Sequence, residues 1–158
     1  MNDQTKQILR RSRILEGLND DQIERVLALG KEQRVSLGDA IVEEGEEGTA
    51  VFLLLQGRIN IERRHLFQGG KPQILATLEP GETFSEMSLV DRQARSATCR
   101  AIEPVVVLRI ENELLETFIA QTPDIGLHLM RNLAAQLAMR LRNLDAKMQQ
   151  AMIDIFYY

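Results

Sequence analysis

The feature that most restricts the fold of this chain is a succession of short apolar runs between residues 31 and 110. The runs read VFLLL, RINIE, QILATL, SATCRA and VVVLRI, and glycine-containing turns accompany them. Short strands with frequent turns are typical of antiparallel sandwiches, rolls and barrels. No long helical pattern interrupts the region, which argues against a doubly wound parallel sheet. The sequence therefore predicts an antiparallel β-roll, jelly-roll-like or of the double-stranded β-helix type.

Helical patterns flank this roll. Asn19, followed by two aspartates, predicts the N-cap and acidic first turn of the second of two short helices, and Gly30 predicts its end. The run LLETFIA predicts a helix that ends at Thr122, before a longer C-terminal helix. We expect an α+β fold with one domain at 1–158, large enough to bury about two-thirds of its extended surface. Its parts are N-terminal helices at 1–30, the roll at 31–110, and lid and dimerisation helices at 111–158.

An apolar stripe runs along the last helix in steps that alternate between three and four residues. Its members are Leu127, Met130, Ala134, Leu137, Leu141, Leu144, Met148, Ala151 and Ile155. This is a heptad pattern held for about four heptads, and it predicts a homodimeric coiled coil centred on Leu137, Leu141, Leu144 and Met148. One alternative is that the stripe packs on its own roll. Another divides the helix, with its first turns on the roll and its later turns on a partner.

Composition argues against several classes of protein. The net charge of −4 gives no general attraction for nucleic acid, and no segment predicts a membrane anchor or a secretory signal. Cys99 is the single cysteine, so the chain forms no internal disulfide and a cytoplasmic location is expected. The two histidines, His65 and His128, are far apart in sequence, and no nucleophile elbow or Walker-type phosphate loop is present. We expect no enzymatic activity, no metal and no cofactor.

The stretch ETFSEMSLVDRQARSATCRA, residues 82–101, concentrates the candidate chemistry. Thr83 and Glu86 have the T-x-x-E spacing of a capping box, which would occupy Glu86 structurally. Strand alternation places Arg95 on the same face as Cys99, among small apolar residues. A guanidinium that faces a core needs an anion, and that anion is either Glu86 or a bound phosphate or carboxylate. If Arg95 instead lies outside the strand, it is an ordinary exposed charge.

The segment GETFSEMSLVDRQARSAT, residues 81–98, resembles the phosphate-binding cassette of cyclic nucleotide-binding domains. These domains occur in regulatory subunits of cyclic-AMP-dependent protein kinase and in catabolite activator proteins. The preceding LRRSRILEGLNDDQIERVLALG and LGDAIVEEGEEGTAVFLLLQGRINI resemble the family's N-terminal helices and first strands. FIAQTPDIGLHLMRNLAAQLAMRLRNL resembles its lid and C-terminal helix, so the resemblance covers nearly the whole chain.

The resemblance implies a role for each matching residue, with cyclic AMP or cyclic GMP as the ligand. Glu86 would bind the ribose 2′-hydroxyl, and Arg95 with Ser96 would bind the cyclic phosphate. The further contacts it implies are backbone N–H groups of Ser85, Met87 and Ser88 on the phosphate, a pocket wall of Leu75, Ala76 and Leu78, and base-side residues Arg140, Asn143 and Leu144. One departure is plain, because the family usually has glycine where this chain has Ser85.

By this resemblance the chain is a cyclic nucleotide sensor that signals through its C-terminal helix to an effector protein, without contacting nucleic acid or membrane itself. Two alternatives remain open. One is a non-binding dimerisation module of the same fold. The other is the ligand-binding part of a longer transcription regulator, because a catabolite activator continues into a helix-turn-helix domain and this sequence ends at AMIDIFYY.

Overall fold

The computed structural model describes residues 8–10, 12–64 and 72–156, and it shows the α+β fold expected from the sequence. Helix α1 (Asp20–Leu27) follows a 3-10 turn, Arg13–Leu15. The strands are β1 (Lys31–Val35), β2 (Ala40–Val42), β3 (Ala50–Gln56), β4 (Ile59–Arg64), β5 (Pro72–Leu78), β6 (Thr83–Phe84), β7 (Thr98–Ala101) and β8 (Val105–Glu111). Helix α2 (Met87–Asp91) lies between β6 and β7, and α3 (Asn112–Gln121) and α4 (Pro123–Phe156) follow β8. His65 lies outside the described residues.

The strands form two four-stranded antiparallel sheets, in the orders β1-β8-β3-β6 and β2-β7-β4-β5. One apolar core draws residues from both sheets, so the sheets enclose it as the two sides of a roll. Strand β3 is buried on both faces: Phe52 and Leu54 face the interior of the roll, whereas Val51 and Leu53 face the helices. This arrangement confirms the predicted antiparallel β-roll.

A second apolar core lies between the roll and the helices, and α1 enters it through Ile23 and Val26. Helix α1 begins with the predicted cap: the Gln22 N–H donates to Asn19 Oδ1 at 2.9 Å, and the Asn19 N–H donates to Gln22 Oε1 at 2.9 Å. The helix ends at Leu27, so the expected end at Gly30 is wrong. Gly30 instead lies directly against Leu108, where a Cβ would collide with the leucine side chain.

Helix α4 contacts the roll only along its first half in the described part of the chain. Ile125, Leu129 and Leu133 are buried there, whereas every described side chain from Leu141 to Asp154 is exposed. The stripe predicted from the heptads lies on another face, and Leu141 is 59% exposed. The alternative that the stripe packs on its own roll is therefore wrong for Leu141, Leu144 and Met148. The side chain of Ile155 lies outside the described residues, and the homodimer stays a prediction.

None of the described helices combines the length and the apolar character needed to cross a membrane.

Candidate ligand-binding site

A cavity of about 160 Å³ lies beside α2, where the segment between β6 and β7 meets the roll and α4. Residues in the range 84–97 form most of its lining, together with Ile61, Cys99 and Arg140. Six residues predicted from the cassette come together here with one from the last helix: Ser85, Glu86, Met87, Ser88, Arg95, Ser96 and Arg140. Segments distant in sequence thus meet at a single site.

Glu86 is the most deeply buried charged residue of the site, with 2% of its surface exposed. It occupies the N-cap of α2, but its side chain makes no capping hydrogen bond, so the capping-box interpretation is wrong. The reason is that Thr83 belongs to β6 and donates its hydroxyl to Gln136 Oε1 at 3.0 Å. The Glu86 carboxylate instead forms an ion pair with Arg140, through Oε1. Glu86 Oε2 has no partner among the described residues.

Burial raises the pKa of the Glu86 carboxyl above its ordinary value of 4.5, and the positive charge of Arg140 only partly opposes this shift. A carboxylate at this depth is expensive to ionise unless a cation or hydrogen-bond donor lies beside it. The stability of the ionised form of Glu86 therefore depends on cations and hydrogen-bond donors that reach it from outside the roll, such as Arg140 on α4.

Arg95 lies three residues before β7 begins, so the strand alternation predicted for it is wrong. It is nevertheless buried, with 7% of its surface exposed, so the alternative of an exposed charge is also wrong. Tertiary contacts hold it inside: its N–H donates to the Glu46 carbonyl at 2.8 Å, and its carbonyl accepts from the Gly45 N–H at 2.9 Å. The segment before β7 is thereby fixed beside the turn that follows β2.

The guanidinium of Arg95 is held mainly by backbone carbonyls. Nη1 donates to the Ser85 carbonyl at 2.9 Å and to Ser88 Oγ at 3.2 Å, and Nη2 donates to the Ala50 carbonyl at 2.9 Å. Its Cζ lies 5.9 Å from the centroid of the Phe52 ring. Burial lowers the pKa of Arg95, although a guanidinium stays charged at neutral pH. No described group accepts from Nε, which is buried.

Sequence reasoning missed several residues that support the site. Asn112, the first residue of α3, donates through Nδ2 to the Gly48 carbonyl at 3.1 Å and to Ser88 Oγ at 3.5 Å. A Cβ on Gly48 would collide with Ser88, so α2 packs directly on the turn before β3. The glycine itself was a visible signal in the sequence, but its contact with α2 joins segments 40 positions apart and has no local pattern.

Helix α4 contributes Gln136 and Arg140 to this side of the roll. Arg140 Nη2 donates to the Thr83 carbonyl at 2.6 Å, and Gln136 Nε2 donates to the same oxygen at 3.3 Å. Arg140 was predicted on the base side of a ligand, and it lies beside Glu86. Gln136 was missed. It lies on the same face of α4 as the buried Ile125, Leu129 and Leu133, and a polar residue on such a face indicates a buried hydrogen bond.

Five other predicted site residues do not line this cavity. They are Leu75, Ala76, Leu78, Asn143 and Leu144. Leu75 and Ala76 are exposed on β5, which is an edge strand, and Leu78 is buried in the core of the roll. Asn143 and Leu144 are exposed on α4 beyond its last contact with the roll.

Cys99 lines the cavity from β7 and is buried. Burial raises the pKa of its thiol to about 12, so the reactive thiolate is scarce at neutral pH. Cys99 is therefore a small buried residue of β7, on the apolar face that the strand alternation predicts for it. The part of the chain that the structure describes contains no group of three or more His, Cys, Asp or Glu side chains placed to hold a metal ion.

Comparison with known proteins identifies what this arrangement resembles. The family model described as cyclic nucleotide-binding domain matches residues 32–122. The cyclic AMP receptor protein of Thermus thermophilus is 34% identical over 137 residues, which are 87% of this chain and 61% of that protein. Human cGMP-dependent protein kinase 2 is 29% identical over 129 residues, which are 80% of this chain and 17% of the kinase.

A solved structure gives the same result for the fold. The crystal structure of the Thermus thermophilus catabolite activator protein superposes with a TM-score of 0.79 at 33% identity. The match covers 90% of this chain and 64% of that chain. The present chain thus spans less than two-thirds of the length of these bacterial relatives.

Proposed function

Because the chain belongs to the cyclic nucleotide-binding domain family, we propose that it is a sensor of cyclic AMP or cyclic GMP that signals to a partner through α4. One observation carries the proposal. Glu86 and Arg95 line the same cavity, and each keeps one buried polar atom without a partner among the described residues, an acceptor at Oε2 and a donor at Nε. An unpaired buried polar group costs about 1–3 kcal/mol. A ligand that brings both a hydroxyl and an anionic phosphate offers a partner of the right kind to each.

The proposed contacts follow from this complementarity. The ribose 2′-hydroxyl donates to Glu86, and the cyclic phosphate accepts from Arg95 and Ser96. Backbone N–H groups of Ser85, Met87 and Ser88 add further donors to the phosphate. Each hydrogen bond to a charged group contributes about 1.5–3 kcal/mol net.

Arg140 supports the proposed route of the signal. Its ion pair with Glu86 ties α4 to the residue that would receive the ribose. A ligand that competes with Arg140 for Glu86, or that adds a further partner to Glu86, changes the free energy of this ion pair. It shifts the position of α4 only as far as its affinity differs between the arrangement with the ion pair intact and the arrangement with it broken. Beyond Arg140 the exposed stripe at Leu141, Leu144 and Met148 would carry the change to a second copy of the chain and then to an effector protein.

The proposed sensor is a cytoplasmic regulator and has no enzymatic activity of its own. It needs no cofactor besides its nucleotide, and it contacts neither nucleic acid nor membrane directly. The net charge of −4 supports the absence of direct nucleic-acid contact. The cavity lining supports the absence of enzymatic activity, because Glu86 is paired with Arg140 and the Cys99 thiol has a raised pKa.

Two alternatives have support from particular observations. Glu86 already has a cation in Arg140, which favours a non-binding dimerisation module in which the site is satisfied internally. The chain spans 61% of the bacterial receptor protein to which it is similar, which favours the ligand-binding part of a longer transcription regulator.

A thermal-shift panel separates the sensor from the non-binding module. A nucleotide at about 100 times its dissociation constant adds about 2.7 kcal/mol to the free energy of unfolding. At about 2–4 °C per kcal/mol, the expected rise in melting temperature is about 5–10 °C. The 2′-deoxy analogue of the active nucleotide is the matched control, and it should give a smaller shift because it lacks the donor to Glu86. If neither cyclic AMP nor cyclic GMP shifts the melting temperature at millimolar concentration, the sensor is contradicted.

A further inference from the structure

Ser85 has a backbone conformation that serine rarely adopts. Its φ is +64°, in the left-handed region where a Cβ is unfavourable and glycine is favoured. The one other such residue among those the structure describes is Arg92, with φ +54°, and it is the C-cap of α2, where left-handed residues are common. Ser85 precedes a helix instead, so its conformation has a different cause.

The Ser85 carbonyl is held by two hydrogen bonds within the site. Arg95 Nη1 donates to this oxygen at 2.9 Å, and Ser88 Oγ donates to it at 3.1 Å. Both donors are buried and make other contacts, so they fix the position of the Ser85 carbonyl while residue 85 has its left-handed conformation. Glycine would satisfy this requirement without strain.

The hydroxyl of Ser85 has no hydrogen-bonding role in the fold among the described residues. The side chain lines the cavity together with Arg95 and Ser96, and its hydroxyl makes no hydrogen bond with any described residue. A side chain that strains the backbone and makes no internal hydrogen bond indicates a role toward something that enters the cavity.

We propose that the Ser85 hydroxyl donates a hydrogen bond to an anionic oxygen of the ligand's phosphate, so that Ser85 determines affinity through its side chain as well as through its backbone. This role rests on the proposed function. It adds a side-chain donor to the phosphate contacts of Arg95 and Ser96, at a position where glycine could offer only its N–H. Obstruction of the phosphate by the same side chain is the opposite hypothesis, and it predicts the opposite effect of glycine.

Three variants of the full chain test the proposal by titration calorimetry with whichever of cyclic AMP and cyclic GMP binds the wild type. Ser85→Ala keeps the strained backbone and removes the hydroxyl, so affinity should fall about tenfold with the melting temperature unchanged. Ser85→Gly removes both, so affinity should fall by a similar factor while the melting temperature of the ligand-free protein rises by about 2–4 °C. Arg92→Gly is the matched control. It relieves left-handed strain outside the cavity lining, and the ion pair with Glu116 that it removes is exposed and weak, so it should raise the melting temperature without changing affinity.

Phosphorothioate analogues show whether the contact is direct. Each diastereomer replaces one exocyclic phosphate oxygen by sulfur, which is a weak hydrogen-bond acceptor. The penalty of Ser85→Ala should vanish for one diastereomer and persist for the other. Two results would overturn the role of Ser85 and leave the proposed function standing. One is an equal loss of affinity on Ser85→Ala for both diastereomers, and the other is a Ser85→Gly variant that binds as tightly as the wild type or more tightly. A wild type that binds neither nucleotide would overturn the proposed function as well.

Discussion

Replacing Arg140 by methionine tests whether α4 stabilises the charge of Glu86. The change removes the guanidinium and keeps an unbranched apolar stem in its place. Removing one partner of a buried ion pair typically costs about 3–5 kcal/mol, because the other charge is left uncompensated. Glu86 is 2% exposed, but the Arg140 side chain is 31% exposed, so water already screens part of the pair. We therefore expect a loss of about 2–3 kcal/mol at pH 7.

The loss of stability should depend on pH, because Glu86 can neutralise its uncompensated charge by binding a proton. Burial raises the pKa of its carboxyl, and Arg140 opposes that shift, so the variant should raise the pKa further. With a folded-state pKa above the unfolded value near 4.5, the folded protein binds more protons than the unfolded chain between the two values. The free energy of unfolding then falls as the pH rises through this window, by at most about 1.4 kcal/mol per pH unit. The deficit of Arg140→Met should accordingly shrink between pH 7 and pH 5.

Urea denaturation of a double-mutant cycle measures the interaction. Glu86→Gln keeps the shape of the side chain and removes the charge, so it should be far less destabilising than Arg140→Met. The double variant should be about 1.5–3 kcal/mol more stable than the sum of the single changes implies, which lies in the upper part of the range of about 0.5–3 kcal/mol for contacting residues. Arg142→Met, at an exposed position two residues further along α4, is the matched control for loss of a helix charge.

Two results would refute the reasoning. One is an Arg140→Met variant as stable as Arg142→Met at pH 7. The other is a deficit that stays constant between pH 7 and pH 5, because that would mean that the carboxyl of Glu86 does not respond to the cation on α4.

Two further predictions concern the phosphate contact and the exposed stripe. Arg95→Lys keeps a positive charge but cannot reproduce the two-sided donor arrangement of the guanidinium, so nucleotide affinity should fall about 10–100-fold in calorimetry. Unchanged affinity would argue against Arg95 as the phosphate partner. Leu141→Asp places a charge at an exposed position of the stripe, so it should halve the mass measured by sedimentation while leaving the secondary structure intact. The same dimeric mass in wild type and variant would contradict a seam at Leu141.

Local sequence patterns were sufficient to predict the strands and helices in which apolar residues recur at regular intervals. The five apolar runs are strands, and the two C-terminal helical patterns are α3 and α4. Strands β1, β2 and β6 were missed. β2, AIV, is only three residues long, and the other two were missed for different reasons. β1, KEQRV, lies at a sheet edge with almost every side chain exposed, so it has no apolar alternation to detect. β6 is two residues long and exists because it pairs with β3.

The candidate site was predictable as a set of residues but not as a geometry. The six predicted cassette residues lie close together in sequence, and they do meet at one cavity. The partners that bury Arg95 and Glu86 come from far away: the Ala50 carbonyl is 45 positions from Arg95, and Arg140 is 54 positions from Glu86. Contacts of this kind are decided by how the roll closes and where α4 crosses it, and neither leaves a periodic signal in the sequence.

In the proposed sensor, the position of Arg140 along α4 would turn a small change at the cavity into a large one at the stripe. The apolar contacts of α4 with the roll are made by Ile125, Leu129 and Leu133, and the polar ones follow at Gln136 and Arg140. From Arg140 to the end of the helix at Phe156 the axis extends about 24 Å, at about 1.5 Å per residue. A tilt of about 10° about Arg140 therefore moves the far end of the helix by about 4 Å. A tilt around the buried Ile125, Leu129 and Leu133 would disturb packed apolar contacts. In the proposed sensor, the polar pair with Glu86 is therefore the place where a ligand would release or hold α4 with the least disturbance of the core.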